Sequence, residues 1–378
     1  MEIKQVYQFV NDAVTETIGT AAVLEEDLSN VVDIGTAIFN GSAFDAFVKS
    51  LVNHIGKVIF VIRPYRGSAP SVLMDAWEYG SVVEKIHSEM PVAVENDSWD
   101  LVDGQSYDPH IFHKPVAEAK FFNKMTTFEI EASITEMQVK QSFSSATQLN
   151  AFVSMIFNEI DKAMTVRNDA LIMRTINNMI AETAKGGNAN RAVNLLTMYN
   201  RQVGPATPLT AAKAIYDKEF IRFAAYQIAL YTDRMTRMST LFNGGGKQRF
   251  TPKDLQHIVM LSEFASAADV YLQSDTFHDE YTRLVKAERV PFWQGSGTNY
   301  GFDSTSAINV VPASGGAAQE VSGILGVIFD RDALGVMNNN QRVTTQWNAK
   351  AEFTNYFYKK DARYFNDLNE NFVFFYVA

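Results

Sequence analysis

Residues 145–184 constrain the fold of this chain more than any other stretch, because they read as one uninterrupted amphipathic helix. Ser145 and Gln148 stand at the two positions of a capping box, in which each side chain satisfies a backbone N–H of the first turn. Lys185 and Gly186 supply the cation and the glycine that are typical of a helix C-terminus. A helix of this length spans roughly 60 Å, so we expect a rigid rod on which other elements pack.

Composition narrows the class of protein. The chain has 378 residues, of which 47% are hydrophobic, and this is enough for a large core or for two to three subdomains. A net charge of −10 gives no bulk electrostatic attraction to nucleic acid or to an anionic membrane. The absence of cysteine excludes disulfides, thiolate chemistry and cysteine-ligated zinc.

Membrane insertion is not expected from the sequence. Asp161, Arg167 and Asp169 interrupt the long helix with charge, and no other run reaches the roughly 18 apolar residues of a membrane span. We therefore expect no membrane partner.

An extended arm is predicted over residues 77–141. Residues 78–86 and 119–139 read as strands with partial alternation, and the segment 95–114 between them is polar and rich in turns. Carboxylates outnumber lysines between residues 84 and 120, so the arm is acidic. A two-stranded ribbon is marginally stable by itself, and we expect this one to lie on a second surface, such as a neighbouring subunit.

The rest of the chain mixes helices and strands without a regular βαβ series, so the fold class is α+β. The predicted helices cover 3–18, 43–54, 191–204, a start at 210, a buried segment at 220–230, a start at Thr251 with Pro252, and 262–271. The predicted strands cover 58–62, 257–261, 310–311, 323–330, 342–358 and 372–377, with the last two completing one C-terminal sheet.

Three motifs in the sequence lack features that the corresponding binding sites require. The glycine loop, residues 243–248, has Leu241 and Gln248 where a phosphate-binding loop needs glycine and a hydroxyl residue, so we expect a mobile loop. Residues 295–301 are glycine-rich, but no helix follows them for a dinucleotide site. His110 and His113 could ligate a metal, but Pro109 and the turn context favour a solvated tip.

No catalytic set stands out by spacing, and the sequence predicts neither a catalytic residue nor a cofactor site nor a metal site. The sequence therefore offers no residues to which an enzymatic activity could be assigned. An unrecognised carboxylate site in an α+β enzyme stays open as a less favoured alternative, because a chain with 43 acidic residues can assemble one in three dimensions.

A docking pair between subunits is the main site hypothesis. Local positive charge near the C-terminus and acidic charge on the arm predict that one subunit's arm lies on the next subunit's C-terminal sheet. The residues in this prediction are Glu95, Asp97, Asp100, Asp103, Lys359, Lys360 and Arg363.

The order of these elements resembles the major capsid proteins of tailed bacteriophages, with the Hong Kong 97-type fold. The stretches that carry the resemblance are residues 77–86, 121–140, 324–330 and 363–365, and the likeness in element order covers nearly the whole chain. The resemblance rests on the order of the elements and on the general character of their residues rather than on a catalytic signature.

The resemblance implies five regions. Residues 1–76 would form an N-terminal arm with the first helix and strand of a peripheral region, and residues 77–141 an extended E-loop. Residues 142–205 would form a spine helix and peripheral domain, residues 206–322 an axial domain, and residues 323–378 the strands that complete both. Gly244, Gly245 and Gly246 would then lie in a loop of the axial domain.

The same resemblance implies a function. The chain would form the pentamers and hexamers of an icosahedral virion capsid, assembled in the host cytoplasm around double-stranded DNA with weak, non-specific DNA contact. Its partners would be further copies of itself and separate scaffolding, portal and decoration proteins. No covalent cross-link is expected at Lys114 or Lys120. A nanocompartment shell of the same fold, enclosing protein cargo, is the alternative.

Overall fold

The computed structural model describes residues 3–18, 46, 47, 50, 70, 72–74, 83–135, 146–273, 284–293, 302–351 and 353–378. The predicted strand over 58–62, most of the predicted helix over 43–54, and the capping residue Ser145 lie outside these ranges.

Helices lie at the N-terminal end and in the middle of the described chain, and the C-terminal end is formed by strands. They are α1 (Ile3–Ile18), α2 (Ala146–Lys185), α3 (Leu195–Gln202), α4 (Ala211–Ala214), α5 (Lys218–Met235), α6 (Ser262–Gln273) and α7 (Phe302–Thr305). The prediction of one 40-residue helix is confirmed by α2. None of the helices in the described part of the chain combines the length and the apolarity that crossing a bilayer requires.

The strands form four sheets. They are β1 (Leu73–Met74), β2 (Val83–Ser88), β3 (Ala117–Phe122), β4 (Met125–Thr135), β5 (Ala192–Asn194), β6 (Gln256–Leu261), β7 (Glu288–Val290), β8 (Ile308–Val310), β9 (Gln319–Val321), β10 (Ile324–Asp330), β11 (Leu334–Asn348), β12 (Phe353–Asn366) and β13 (Phe372–Tyr376). In the described part of the chain, the two larger sheets have the strand orders β1-β11-β12-β4 and β5-β13-β10-β6-β7. The other two sheets are the two-stranded pairs β2-β3 and β8-β9.

The main core lies where the five-stranded sheet meets the C-terminal half of α2. Every residue of β10 is buried, as expected for a central strand that is covered on both faces. Ile172, Ile176 and Ile180 recur at helical spacing on α2 and are fully buried in the same cluster as this sheet. The long helix is therefore attached to the body by its C-terminal half.

Three sequence expectations about local structure are wrong. Arg191–Gly204 is not one helix, because residues 192–194 pair in parallel with β13 before α3 begins. Thr251 does not cap a helix: its hydroxyl donates a 2.6 Å hydrogen bond to the Asp330 carboxylate, and only a short 3-10 turn, Lys253–Leu255, follows.

The C-terminal strands belong to two different sheets rather than to the single sheet that the sequence predicted. Residues 342–358 span the hairpin between β11 and β12, which belongs to the four-stranded sheet, whereas β13 lies in the five-stranded sheet. Aromatic and β-branched composition predicted the strands, but it carries no information about which sheet each one joins.

The arm divides into three parts in the structure. Its root is the antiparallel pair β2-β3, its tip is the segment 89–116, and β4 leaves the root after Asn123 and Lys124 to pair along β12. The predicted single strand over 119–139 is therefore two strands with different partners, and β4 connects the arm firmly to the body.

Candidate functional site

The arm tip exposes an unusual amount of apolar surface. Its exposed large apolar residues are Met90, Val92, Val94, Trp99, Leu101, Val102, Tyr107, Ile111, Phe112 and Val116. Trp99 is 99% exposed and Phe112 is 82% exposed. A contiguous segment of this kind marks a surface that another molecule covers, and the sequence reading of the tip as simply polar and acidic missed it.

The acidic residues of the predicted docking pair lie on this same tip. Glu95, Asp100 and Asp103 are exposed, and Asp97 begins the 3-10 turn that ends at Trp99. The tip therefore combines apolar anchors with negative charge.

The basic half of the predicted pair is placed differently. Lys360 and Arg363 are only 5% and 9% exposed, so the subunit itself covers most of both side chains. Lys359 lies 3.0 Å from Glu129 on the adjacent strand β4, so its charge is balanced within the subunit. The strict alternation of β12 stops at residues 360–363, which are all buried, and a count of local charge cannot show this.

The glycine loop packs tightly against the turn formed by residues 367–371, which we name the carboxylate turn. Both Gly244 and Gly245 donate backbone hydrogen bonds to the carbonyl of Leu368, at 2.6 and 3.0 Å. A Cβ atom at Gly245 would overlap the side-chain oxygen of Asn369. The loop is therefore packed against the body, and its glycines allow the close approach of two backbones.

The carboxylate turn holds the arm root by buried ion pairs. Lys85 of β2 donates to Asp367 at 2.9 Å and to Glu370 at 3.2 Å, and Lys120 of β3 donates to Asp367 at 3.1 Å. The Asp367 side chain is fully buried. Burial alone would raise the pKa of Asp367, but hydrogen bonds from Lys85, the backbone N–H of Asn369 and Lys120 bring it below its ordinary value.

Glu370 brings two further groups into the same network. Arg249 Nε lies 3.6 Å and His87 Nε2 lies 3.1 Å from its carboxylate oxygens. His87, Asp367 and Glu370 are close enough to be metal ligands. However, the Lys85 ammonium lies within hydrogen-bond distance of both carboxylates, so the arrangement is that of an ion-pair network rather than of a metal site.

A second set of ion pairs joins the glycine loop to the base of the arm tip. Lys247 Nζ lies 2.8 Å from Glu89 and 2.9 Å from Glu118, on the two sides of the arm. Hydrogen bonds to both carboxylates raise the pKa of Lys247, and the hydrogen bond from Lys247 lowers the pKa of Glu118. The glycine loop is thus part of the support of the arm.

The strand register explains why the root needs these anions. Lys85 lies directly opposite Lys120, and His87 lies opposite Glu118. Like charges at directly opposed positions destabilise a strand pair, and Asp367 relieves this by accepting from both lysines. Alternation within β2 and β3 was visible in the sequence, but their register and the distant carboxylates were not.

Two comparisons identify the fold and the family. A family profile described as "Phi29-like phage major capsid protein" matches residues 8–376. Two solved structures align over most of their length: the capsid of Staphylococcus phage Andhra (TM-score 0.53, 11% identity, 84% of this chain and 86% of that chain) and a structure from bacteriophage P68 described as its head fiber and inner core protein gp22 (TM-score 0.51, 10% identity, 81% and 83%). No curated protein sequence matches this chain.

These findings settle the choice among the sequence hypotheses. The solved structures show that the mixed helix and sheet architecture is a phage capsid fold, and the family match favours a phage shell over a nanocompartment. The role that this family implies is structural rather than enzymatic. The chain belongs to the Phi29-like phage major capsid protein family, and it is a structural subunit of a phage capsid.

Proposed function

We propose that this chain assembles into pentamers and hexamers that close an icosahedral shell around double-stranded DNA, and that the arm tip of each subunit binds a neighbouring subunit. One observation carries the proposal: the arm tip exposes its large apolar side chains, while ion pairs hold its root in place.

The energetic argument follows from burial. Fully burying one large apolar side chain contributes roughly 1.5–3 kcal/mol, so a few side chains of the tip supply a substantial part of an interface. A root fixed by Lys85, Lys120 and Lys247 orients the tip before contact, which reduces the entropy lost on association.

We also propose a role for each region of the chain and for its partners. Residues 77–141 serve as the E-loop, residues 142–205 as the spine and peripheral region, and residues 206–322 as the axial domain, between the N-terminal region 1–76 and the C-terminal strands 323–378. The subunit works with separate scaffolding, portal and decoration proteins and assembles in the host cytoplasm. Its contact with the packaged DNA is weak and non-specific, in keeping with the net charge of −10.

Assembly of arm variants tests the proposal. Trp99→Ser combined with Phe112→Ser removes the two most exposed aromatic anchors of the tip. We expect the protein concentration needed for shell formation to rise at least tenfold, as measured by sedimentation and negative-stain microscopy.

Ser98→Ala is the matched control, because Ser98 lies in the same turn and its side chain adds no apolar area. The control should assemble like the parent chain. Shells that form from the aromatic double variant at the parent concentration would refute arm-mediated assembly, and a parent chain that forms no shell with its scaffolding protein would refute the assembly proposal itself.

A further inference from the structure

A half-open cavity of about 260 Å³ lies beneath the arm root of each subunit. The rings of Phe121, Tyr364 and Phe365 line one side of it, and Asn178 and Glu182 of α2 line another. Phe121 is 63% exposed although it contributes to an apolar wall. The cavity is thus a built, partly apolar recess on the body rather than a gap in the core.

The lining of the cavity includes one basic and one acidic side chain. Lys124, in the turn between β3 and β4, lines the cavity and is exposed. Glu182 lines it as well and accepts hydrogen bonds from the backbone N–H and the hydroxyl of Ser314, so its negative charge is held in place by the neighbouring loop. Lys124 is therefore the basic group that an acidic partner would meet.

The arm tip carries a side chain that fits this recess. A cavity of about 150 Å³ admits benzene, so this larger one has room for the indole ring of Trp99. Trp99 is 99% exposed and is therefore not housed in its own subunit. Asp97 and Asp100 flank it in sequence, and the negative charge of Asp100 complements that of Lys124.

We propose that Trp99 of one copy inserts into the cavity beneath the arm root of the next copy, with Asp100 facing Lys124. This inference rests on the proposed function, since it names the place where the arm tip binds. The occupant is a second copy of this chain, because the fold places it in a shell built from copies of itself and the tip and cavity are complementary in charge and shape.

A contact between the tip of one copy and the cavity of the next determines the symmetry of the assembly. The tip and the cavity are different surfaces of one subunit, so their contact is head-to-tail rather than self-complementary. Head-to-tail contacts generate rings when the rotation closes, and rings of subunits are the form that pentamers and hexamers require. Phe112 is a weaker candidate for the cavity, because His110 and His113 rather than two carboxylates flank it.

Disulfide trapping tests the contact directly, because the chain has no cysteine of its own. The double variant Asp100→Cys with Lys124→Cys introduces thiols at two exposed positions that the proposal brings together. Disulfides need Cα atoms within about 7 Å. After mild oxidation of assembled shells, we expect a non-reducing gel to show a ladder of covalent oligomers that ends at closed rings.

The control pair is Asp100→Cys with Val270→Cys, since Val270 is 64% exposed on α6 and lies outside the cavity. It should give no ladder. Shells of the Asp100–Lys124 pair without a ladder would overturn the cavity assignment and leave shell formation itself intact, whereas a parent chain without shells would overturn the proposed function.

Exchanging the charges of Asp100 and Lys124 tests the same contact through its effect on assembly. Lys124→Glu should raise the concentration needed for assembly about fivefold, the size of effect measured for partly exposed ion pairs. Adding Asp100→Lys to that variant should restore assembly. A double variant that assembles no better than Lys124→Glu alone would contradict the pairing of Asp100 with Lys124.

Discussion

Lys85 on the arm root donates a 2.9 Å hydrogen bond to Asp367, whose side chain is fully buried and which lies 282 residues further along the chain. The same ammonium also donates to the carbonyl of Asp332 at 2.8 Å. One lysine thus connects the arm to two separate turns of the body, and it fixes where the arm begins.

Removing this lysine should destabilise the subunit. Lys85→Ala leaves the buried carboxylate of Asp367 with Lys120 as its remaining lysine partner, so we expect a loss of about 2–3 kcal/mol in the free energy of unfolding. Urea denaturation of the unassembled subunit measures this loss.

Lys253→Ala is the control, because its ion pair with Asp233 joins two side chains that are both more than 60% exposed. Loss of that pair should cost less than about 1 kcal/mol. Equal losses in the two variants would show that the root network contributes no more than a surface ion pair.

Acid should remove the difference between the parent chain and Lys85→Ala. The pKa of Asp367 is lowered in the folded subunit, so its ion pairs contribute stability above the unfolded-state pKa of about 3.9. This contribution is lost as the pH falls through the lower folded-state pKa. The difference in melting temperature between the two chains should therefore stay constant from pH 7 to about pH 4 and shrink as the pH falls from there toward about pH 2. A difference that stays constant down to about pH 2 would contradict this assignment.

Local sequence signals predicted the elements of this fold well. The long helical period of α2, the buried run of β10 and the helix Ile3–Ile18 were each visible within one window of sequence. That the arm lies on a foreign surface stays a prediction from its two-stranded form.

The site itself could be predicted only in part, because it depends on contacts between distant segments. Lys85 meets Asp367 and Lys247 meets Glu89 through the tertiary fold, and no spacing rule connects these residues. The burial of Lys360 was not predicted for a different reason: the face of a strand on which a residue lies depends on the register with its neighbours.

Gly245 should tolerate alanine only when Asn369 is shortened. A Cβ at Gly245 would overlap the Asn369 amide oxygen and lie 2.9 Å from its Cγ, and Asn369 is buried in the carboxylate turn. We expect Gly245→Ala to destabilise the subunit by about 1–3 kcal/mol, as other overpacking changes do.

A double-mutant cycle isolates this contact. Asn369→Ala alone removes a buried amide and should also destabilise, but the double variant should be more stable than the sum of the two losses predicts. Unfolding free energies of the four chains measure the coupling, and additive losses would show that Gly245 is not required for the approach of Asn369.

The burial of Lys360 should make the stability of the subunit depend on pH. Burial lowers its pKa to about 8, whereas an unfolded lysine titrates near 10.4. Between these values the unfolded chain binds more protons, so stability should rise with pH. Lys360→Met should remove this rise, because methionine does not titrate.

Lys359→Met is the neighbouring control, since Lys359 is partly exposed and pairs with Glu129. It should cost less than about 1 kcal/mol and leave the pH dependence between pH 7 and pH 10 unchanged. Thermal unfolding across that range separates the two variants. A Lys360→Met chain whose stability still rises between about pH 8 and pH 10 would contradict the assignment of this rise to Lys360.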